Sequence, residues 1–397
     1  MKKNILILNG SICELPIIQK AKEMGFYVYT TGNMPDLIGH LYGDEYISAD
    51  YSDKESILNI VKEHKINHIV SCANDFGVIT AAYVAEHMGW KGHDSYRTAK
   101  LLHHKDLFKQ YCYEKNIPSP VSKVFTEKSA ARDYIQSCIY PIIVKATDLT
   151  GGKGIRKAEN LREAEFAIDN AFLCSREKHI VIEPFITGTQ HTIDTFIIDR
   201  KVAVFTSCNC FSPINPYLIQ SETLPATNIE GVQEQLCHII EDMAADLNLA
   251  DGILALQYIL CNGKPYIIEM MRRCFGNQFL TLMDAITGFP WEEAYIKAAI
   301  GENCHGIVCQ QPTVRFCGHH GIMATHNGVL KGYSIPEKIK KHLFYKIDMI
   351  QPGEKITNYL NEKIAYLYYS YDNQDEMNRD VQQFNDLIKV EYETFSC

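Results

Sequence analysis

Pro141-Ile142-Ile143-Val144-Lys145-Ala146-Thr147-Asp148-Leu149-Thr150-Gly151-Gly152-Lys153-Gly154-Ile155 reads as a short apolar strand that ends on a lysine and runs into a glycine-rich loop. Glycines let successive backbone N–H groups converge, so the loop has the means to wrap phosphate oxygens beside the strand lysine. Walker spacing is missing, since Lys153 is followed by Gly154 rather than Ser or Thr. An ordinary turn between strand and helix would look the same in isolation, so the flanking sequence decides.

On the N-terminal side, Ile117-Pro118-Ser119-Pro120 marks a boundary, because two prolines stop a helix and force extended backbone. The helix they end is expected over residues 98–115 and carries Lys105. A strand at 121–125 and a helix near 128–137 then lead into the quoted stretch. Further upstream, strands are expected at 4–8, 26–30 and 66–72, and helices at 17–24 and 53–64, the last with Asp53 in its first turn. Such alternation predicts a doubly wound α/β domain with parallel strands. Gly10 to Pro16 does not spell Gly-x-Gly-x-x-Gly, so a dinucleotide fingerprint is absent and a plain dehydrogenase is disfavoured.

On the C-terminal side, Val181-Ile182-Glu183-Pro184-Phe185-Ile186-Thr187-Gly188-Thr189-Gln190 is a second apolar strand bearing one acid, and a long helix is expected at 229–248. Leu256-Gln257-Tyr258-Ile259-Leu260-Cys261 and Pro265-Tyr266-Ile267-Ile268-Glu269-Met270-Met271-Arg272-Arg273 then flank an Asn262-Gly263 turn. If the loop takes three residues, 262–264, Cys261 faces Pro265 and Gln257 sits directly across from Glu269. A two-residue turn would put that pair on opposite faces. Strand alternation adds Met271 and Arg273 to the face of Glu269. An oxygen pair beside an arginine suits a magnesium–nucleotide complex: Mg²⁺ keeps waters, takes one or two protein oxygens and is completed by phosphates. Arg273 could balance charge on a transferring phosphoryl group.

The strand lysine with its glycine loop resembles the signature of the ATP-grasp superfamily, and Lys-Ala-x-x-Leu-x-x-Gly-Lys-Gly is similar to the version in phosphoribosylamine–glycine ligases. The resemblance runs over roughly residues 1–300 and extends to the carbamoyl-phosphate synthetase large chain. It implies a Rossmann-like pre-ATP-grasp domain at 1–97 and an ATP-grasp domain at 98–300, whose two α+β subdomains clasp ATP with a lid at about 118–186. Residues 301–397 would complete the substrate region. By the same resemblance Lys105, Lys145, Gly151, Gly152, Lys153 and Gly154 meet the phosphates, with Lys145 also along the adenine. The backbone at Glu183 and Phe185 pairs with the base edge, and Gln190 stands where a ribose-binding glutamate is usual. Gln257 and Glu269 hold the metal, and Arg273 is the catalytic arginine. Met271 replaces the usual asparagine and is a poor ligand for a hard cation, with Asn277 a substitute.

The activity implied is ATP-dependent ligation: Mg²⁺, or Mn²⁺ in its place, supports phosphorylation of a carboxylate to an acyl phosphate, which an amine or thiol then displaces. The rivals are a bicarbonate-activating carboxylase and an ATP-binding protein with weakened catalysis. Expected partners are small-molecule carboxylate and amine substrates, with homodimer formation open. Arg315, His319 and His320 follow one strand of the C-terminal third, and the arginine could pair with a substrate carboxylate.

Bulk properties agree. The 397 residues suit two or three packed units. A net charge of −9 argues against nucleic acid as a partner, and no run approaches the ~20 apolar residues of a membrane span. Fourteen cysteines without export-signal features read as reduced thiols of a cytoplasmic protein, and Cys208-Asn209-Cys210 lacks zinc-ligand spacing.

Overall fold

The computed structural model describes residues 3–149 and 152–393, so Gly151 lies outside the described residues. Asn4–Leu8, Tyr27–Gly32, Glu45–Ser48 and His68–Ser71 form a four-stranded parallel sheet in which the first strand lies between the second and the fourth. Ile5, Leu6, Ile7 and Leu8 are all buried, as a parallel strand covered on both faces requires. Asp53 is the N-cap of helix Lys54–Glu63 rather than a first-turn residue, accepting hydrogen bonds from the backbone N–H groups of Glu55 and Ser56.

The single helix expected over 98–115 is two helices, Tyr96–His103 and Lys105–Glu114, separated by extended backbone at His104. The Lys105 N–H, freed from an intrahelical partner, donates to the Thr147 carbonyl at 3.4 Å. The break therefore starts a helix on Lys105 and ties that start to the glycine loop. The Pro118 carbonyl accepts from Ile267 N–H at 2.8 Å, which pins the proline segment to the late hairpin.

Lys123–Phe125, Ile180–Pro184, Ile142–Ala146 and Ile155–Ala158 make a four-stranded antiparallel sheet in that order, packed against helices Lys128–Ile135 and Leu161–Cys174. The largest sheet has eight strands in the order Lys264–Met271, Gly252–Cys261, Thr189–Ile198, Lys201–Phe211, Ser221–Leu224, Phe316–Met323, Lys363–Tyr371 and Leu343–Asp348. Helix Val232–Asp246 packs on one face of it. Among the described residues no helix is long and apolar enough to cross a membrane.

The hairpin corrects one expectation while keeping its consequence. Its turn has two residues, Asn262 and Gly263, both at positive φ, so Cys261 faces Lys264 and Tyr258 faces Ile267. A β-bulge then leaves Ile268 without an opposite residue, and beyond it Gln257 faces Glu269 after all. Gln257 also pairs with Thr192, which places Gln190, Thr192 and Asp194 on the same face.

Arg272, pointing to the opposite side from Arg273, forms a buried ion pair with Asp94 at 2.9 Å and donates to the carbonyls of Ile253 and Ala250. Asp94 also accepts from Ala250 N–H at 2.8 Å. Removing one member of such a pair strands the other charge. Asp94→Ala is expected to lower unfolding free energy by about 3–5 kcal/mol, read as a reduced urea midpoint.

Candidate active site

The hairpin face, the start of helix Lys105–Glu114 and the glycine loop enclose a cleft of about 330 Å³, whose lining includes Lys105, Gly152, Gln190, Gln257, Glu269 and Arg273. Lys105 Nζ lies 2.8 Å from Glu269 Oε1 and donates to the Leu149 carbonyl at 2.8 Å. Burial opposes the Lys105 charge, but Glu269 outweighs it and holds the ammonium above its usual range. One lysine thus joins the hairpin carboxylate to the loop. Gly152 has φ +74°, and a Cβ there would fall 2.7 Å from the Tyr217 carbonyl oxygen, so this position must be glycine. Lys153 is exposed.

Lys145 and Glu183 meet at 2.7 Å beneath this layer, where Glu183 is 2% exposed. Lys109 Nζ approaches Glu183 at 3.2 Å and Ser122 Oγ donates to it at 2.6 Å. Burial pushes this carboxyl up, but Lys109 and Lys145 override it and bring it down to about 2. Lys109 was not singled out from sequence, although it lies one helical turn beyond Lys105. The Phe185 N–H is donated to the Pro141 carbonyl at 3.0 Å, so it is not free to pair with a base edge as the resemblance implies.

Arg273 is held from the N-terminal side. Its Nε donates to Asp75 Oδ1 at 2.6 Å and its Nη2 to Oδ2 at 3.3 Å, while His103 Nδ1 lies 2.9 Å from the same Oδ1. Burial raises the Asp75 carboxyl, yet Arg273 and His103 hold it well below the usual range. Asp75 begins the helix Asp75–Met88, and nothing local in the sequence marks it as the partner of Arg273.

Gln257 and Glu269 offer hard oxygen donors on one wall, and the buried Oδ1 of Asn277, which has no hydrogen-bond partner, offers another. This donor set fits Mg²⁺ or Mn²⁺, with the thioether of Met271 contributing nothing. Among the described residues the one group of three His, Cys, Asp or Glu ligand atoms close enough to share an ion is His342, Glu376 and Asp380, outside the cleft lining.

The inner wall carries three groups absent from the sequence reading. Asp194 is pushed up to about 8, first by burial and then by Glu222. Lys363 is pushed down to about 8 by burial, with Glu222 opposing. Glu222 is bonded to His319 at 2.7 Å. The period-two step from Gln190 through Thr192 could have reached Asp194; Lys363 has no local signal. Arg315, by contrast, is exposed and lines a separate groove with Pro312, Ser370 and Asp372, so the structure does not bring it to the cleft. His320 is on the far side of the sheet from His319, bonded to Ser221 Oγ at 2.7 Å and pushed down to about 3 by burial.

Comparison with known proteins fits this geometry. Residues 103–215 match the family described as phosphoribosylglycinamide synthetase, ATP-grasp (A) domain. The chain is 26% identical over 360 residues to phosphoribosylamine–glycine ligase of Listeria monocytogenes, covering 84% of this chain and 78% of that one. It is 21% identical over 297 residues to the carbamoyl phosphate synthase large chain of Clostridium acetobutylicum, 71% of this chain but only 27% of that much longer relative. The crystal structure of L-amino acid ligase from Bacillus licheniformis superposes with a TM-score of 0.82 at 18% identity, covering 99% of this chain and 100% of the other. Residues 103–215 are therefore an ATP-grasp domain, and the chain as a whole has the ATP-grasp fold.

An aspartic acid raised from 3.8 to about 8 adds stability that is fully present below pH 4 and is lost as pH climbs through 8. Asp194→Asn removes that loss. The variant is expected to match wild type near pH 4 and to exceed it by about 1–3 kcal/mol at pH 8, measured by chemical denaturation across that range.

Proposed function

We propose that the protein is an ATP-dependent carboxylate–amine ligase. The observation that carries this reading is the single wall formed by Gln257, Glu269, Lys105 and Arg273 under the glycine loop. In this reading residues 1–97 form the supporting N-terminal domain, 98–300 the ATP-grasp domain with its lid at 118–186, and 301–397 the substrate-side extension. ATP lies between the lid and the eight-stranded sheet, its phosphates against Lys105, Lys145 and the loop of Gly151 to Gly154. Gln190 and the Glu183–Phe185 backbone, apart from the Phe185 N–H, serve the adenosine end.

Gln257 and Glu269 would hold Mg²⁺, which lowers the charge of the triphosphate when bound. The chain's own groups do the rest by positioning. A substrate carboxylate oxygen attacks the γ-phosphorus, the bond to the bridging oxygen breaks with its electron pair, and ADP leaves. Arg273, oriented by Asp75, steadies the transferring phosphoryl oxygens. An amine then attacks the acyl carbon, phosphate departs and a proton is lost, leaving an amide. Thiols of the described cysteines are all free, which supports a reducing, cytoplasmic setting.

The test is ADP release from MgATP across a panel of carboxylates, amines and bicarbonate. Glu269→Ala is expected to cut turnover by about 10²–10³-fold. Unchanged turnover in that variant sinks the assignment, and turnover with bicarbonate alone turns it into a carboxylase.

A further inference from the structure

The inner wall of the cleft holds ionisable groups that the ligase chemistry leaves unused. Asp194 is 1% exposed; its Oδ2 takes Thr192 Oγ1 at 2.9 Å and Cys208 Sγ at 3.4 Å, while Oδ1 is buried with no hydrogen-bond partner. Glu222, 7% exposed, is paired with His319 at 2.7 Å and accepts from Cys210 Sγ at 3.5 Å, so among the described residues Asp194 is the acid here that no basic side chain meets. Lys363, 8% exposed, makes no side-chain hydrogen bond or ion pair among the described residues. Its stem runs over Gly321, where a Cβ would fall 2.5 Å from Lys363 Cδ. A glycine therefore keeps that lane open for the lysine.

Asp194, a buried acid that meets no basic side chain among the described residues, and Lys363, a buried lysine bonded to no acid among them, line a single cleft and call for a ligand that carries both signs. Asp194 and Glu222 do not converge with a third ligand tightly enough for a metal ion. An ammonium group, with N–H donors that reach separate oxygens, suits two carboxyl groups on one wall better. We infer that this wall is the subsite for the amine substrate and that it takes an α-amino acid, its ammonium against Asp194 and Glu222 and its carboxylate against Lys363. Phe275, Phe279 and Tyr366 line the same cleft and give an apolar surface for the side chain. Asp194 also acts as the proton acceptor. The bound ammonium passes one proton to its free oxygen, the nitrogen lone pair attacks the acyl carbon, the carbon–oxygen bond to phosphate breaks with its electron pair, and the departing phosphate takes the second nitrogen proton. This assignment rests on the ligase reading for its chemistry, but binding tests it separately.

The experiment is titration calorimetry of the whole chain, loaded with Mg²⁺ and a non-hydrolysable ATP analogue, against the twenty standard L-amino acids. The tightest of them is then compared with its des-amino acid and its carboxamide. Expected are binding of the amino acid, at least tenfold weaker binding of both analogues, at least tenfold losses in Asp194→Asn and Lys363→Met, and partial recovery in Lys363→Arg. Retained binding of the ATP analogue shows that each variant is folded. The subsite is overturned if no amino acid binds, if the analogues bind equally well, or if both variants keep wild-type affinity. ADP release with other amines while amino acids fail to bind removes the subsite and leaves the ligase. The expected binding pattern with no ADP release from any pair removes the ligase and leaves the subsite.

Discussion

A single additional residue in one strand governs the geometry of the cleft. Ile268 bulges out of the hairpin ladder, and only because it does can a two-residue Asn262-Gly263 turn coexist with Gln257 facing Glu269. Without the bulge, the side-chain period of two would send Glu269 to the helix-packed face, where a carboxylate would be buried on the side of the helix Tyr96–His103. Lys105 would lose its partner, and Arg273 would turn away from Asp75. The bulge therefore selects which face of an eight-stranded sheet becomes chemical and which becomes core.

On the chemical face, charge is handled in two different ways. Glu183 is buried with two lysines and a serine hydroxyl around it, so its carboxylate is stabilised and its proton affinity lowered. Asp194 is buried with only a hydroxyl and a thiol, and its proton affinity rises instead. A satisfied buried ion gives a fixed structural joint, whereas an unsatisfied one stores affinity for whatever brings the missing charge. The joint sits behind the glycine loop; the unsatisfied acid faces open cleft.

What the sequence made legible was local. The parallel N-terminal sheet followed from alternating apolar runs, and the pairing of Gln257 with Glu269 followed from strand period, although through a three-residue loop that does not exist. The bulge was hidden because nothing in Ile267-Ile268 distinguishes an extra residue from a paired one. The break at His104 was hidden because its cause is a hydrogen bond to Thr147, more than forty positions away. Lys363 and Asp75 were invisible for the same reason: each acquires meaning from residues distant in the chain. Arg315 was misjudged by following sequence neighbours of a strand whose first residues lie outside the cleft.

Arg272 and Arg273 follow the last strand residue, Met271, and each grips a different acid of the N-terminal region, Asp94 and Asp75. Two separate grips resist both sliding and rocking. The N-terminal region is thereby a fixed abutment of the hairpin rather than a swinging jaw. Removing this region would untether Arg273 and Arg272 in the same event, leaving the end of the hairpin with two buried cations and no counter-charge for either grip.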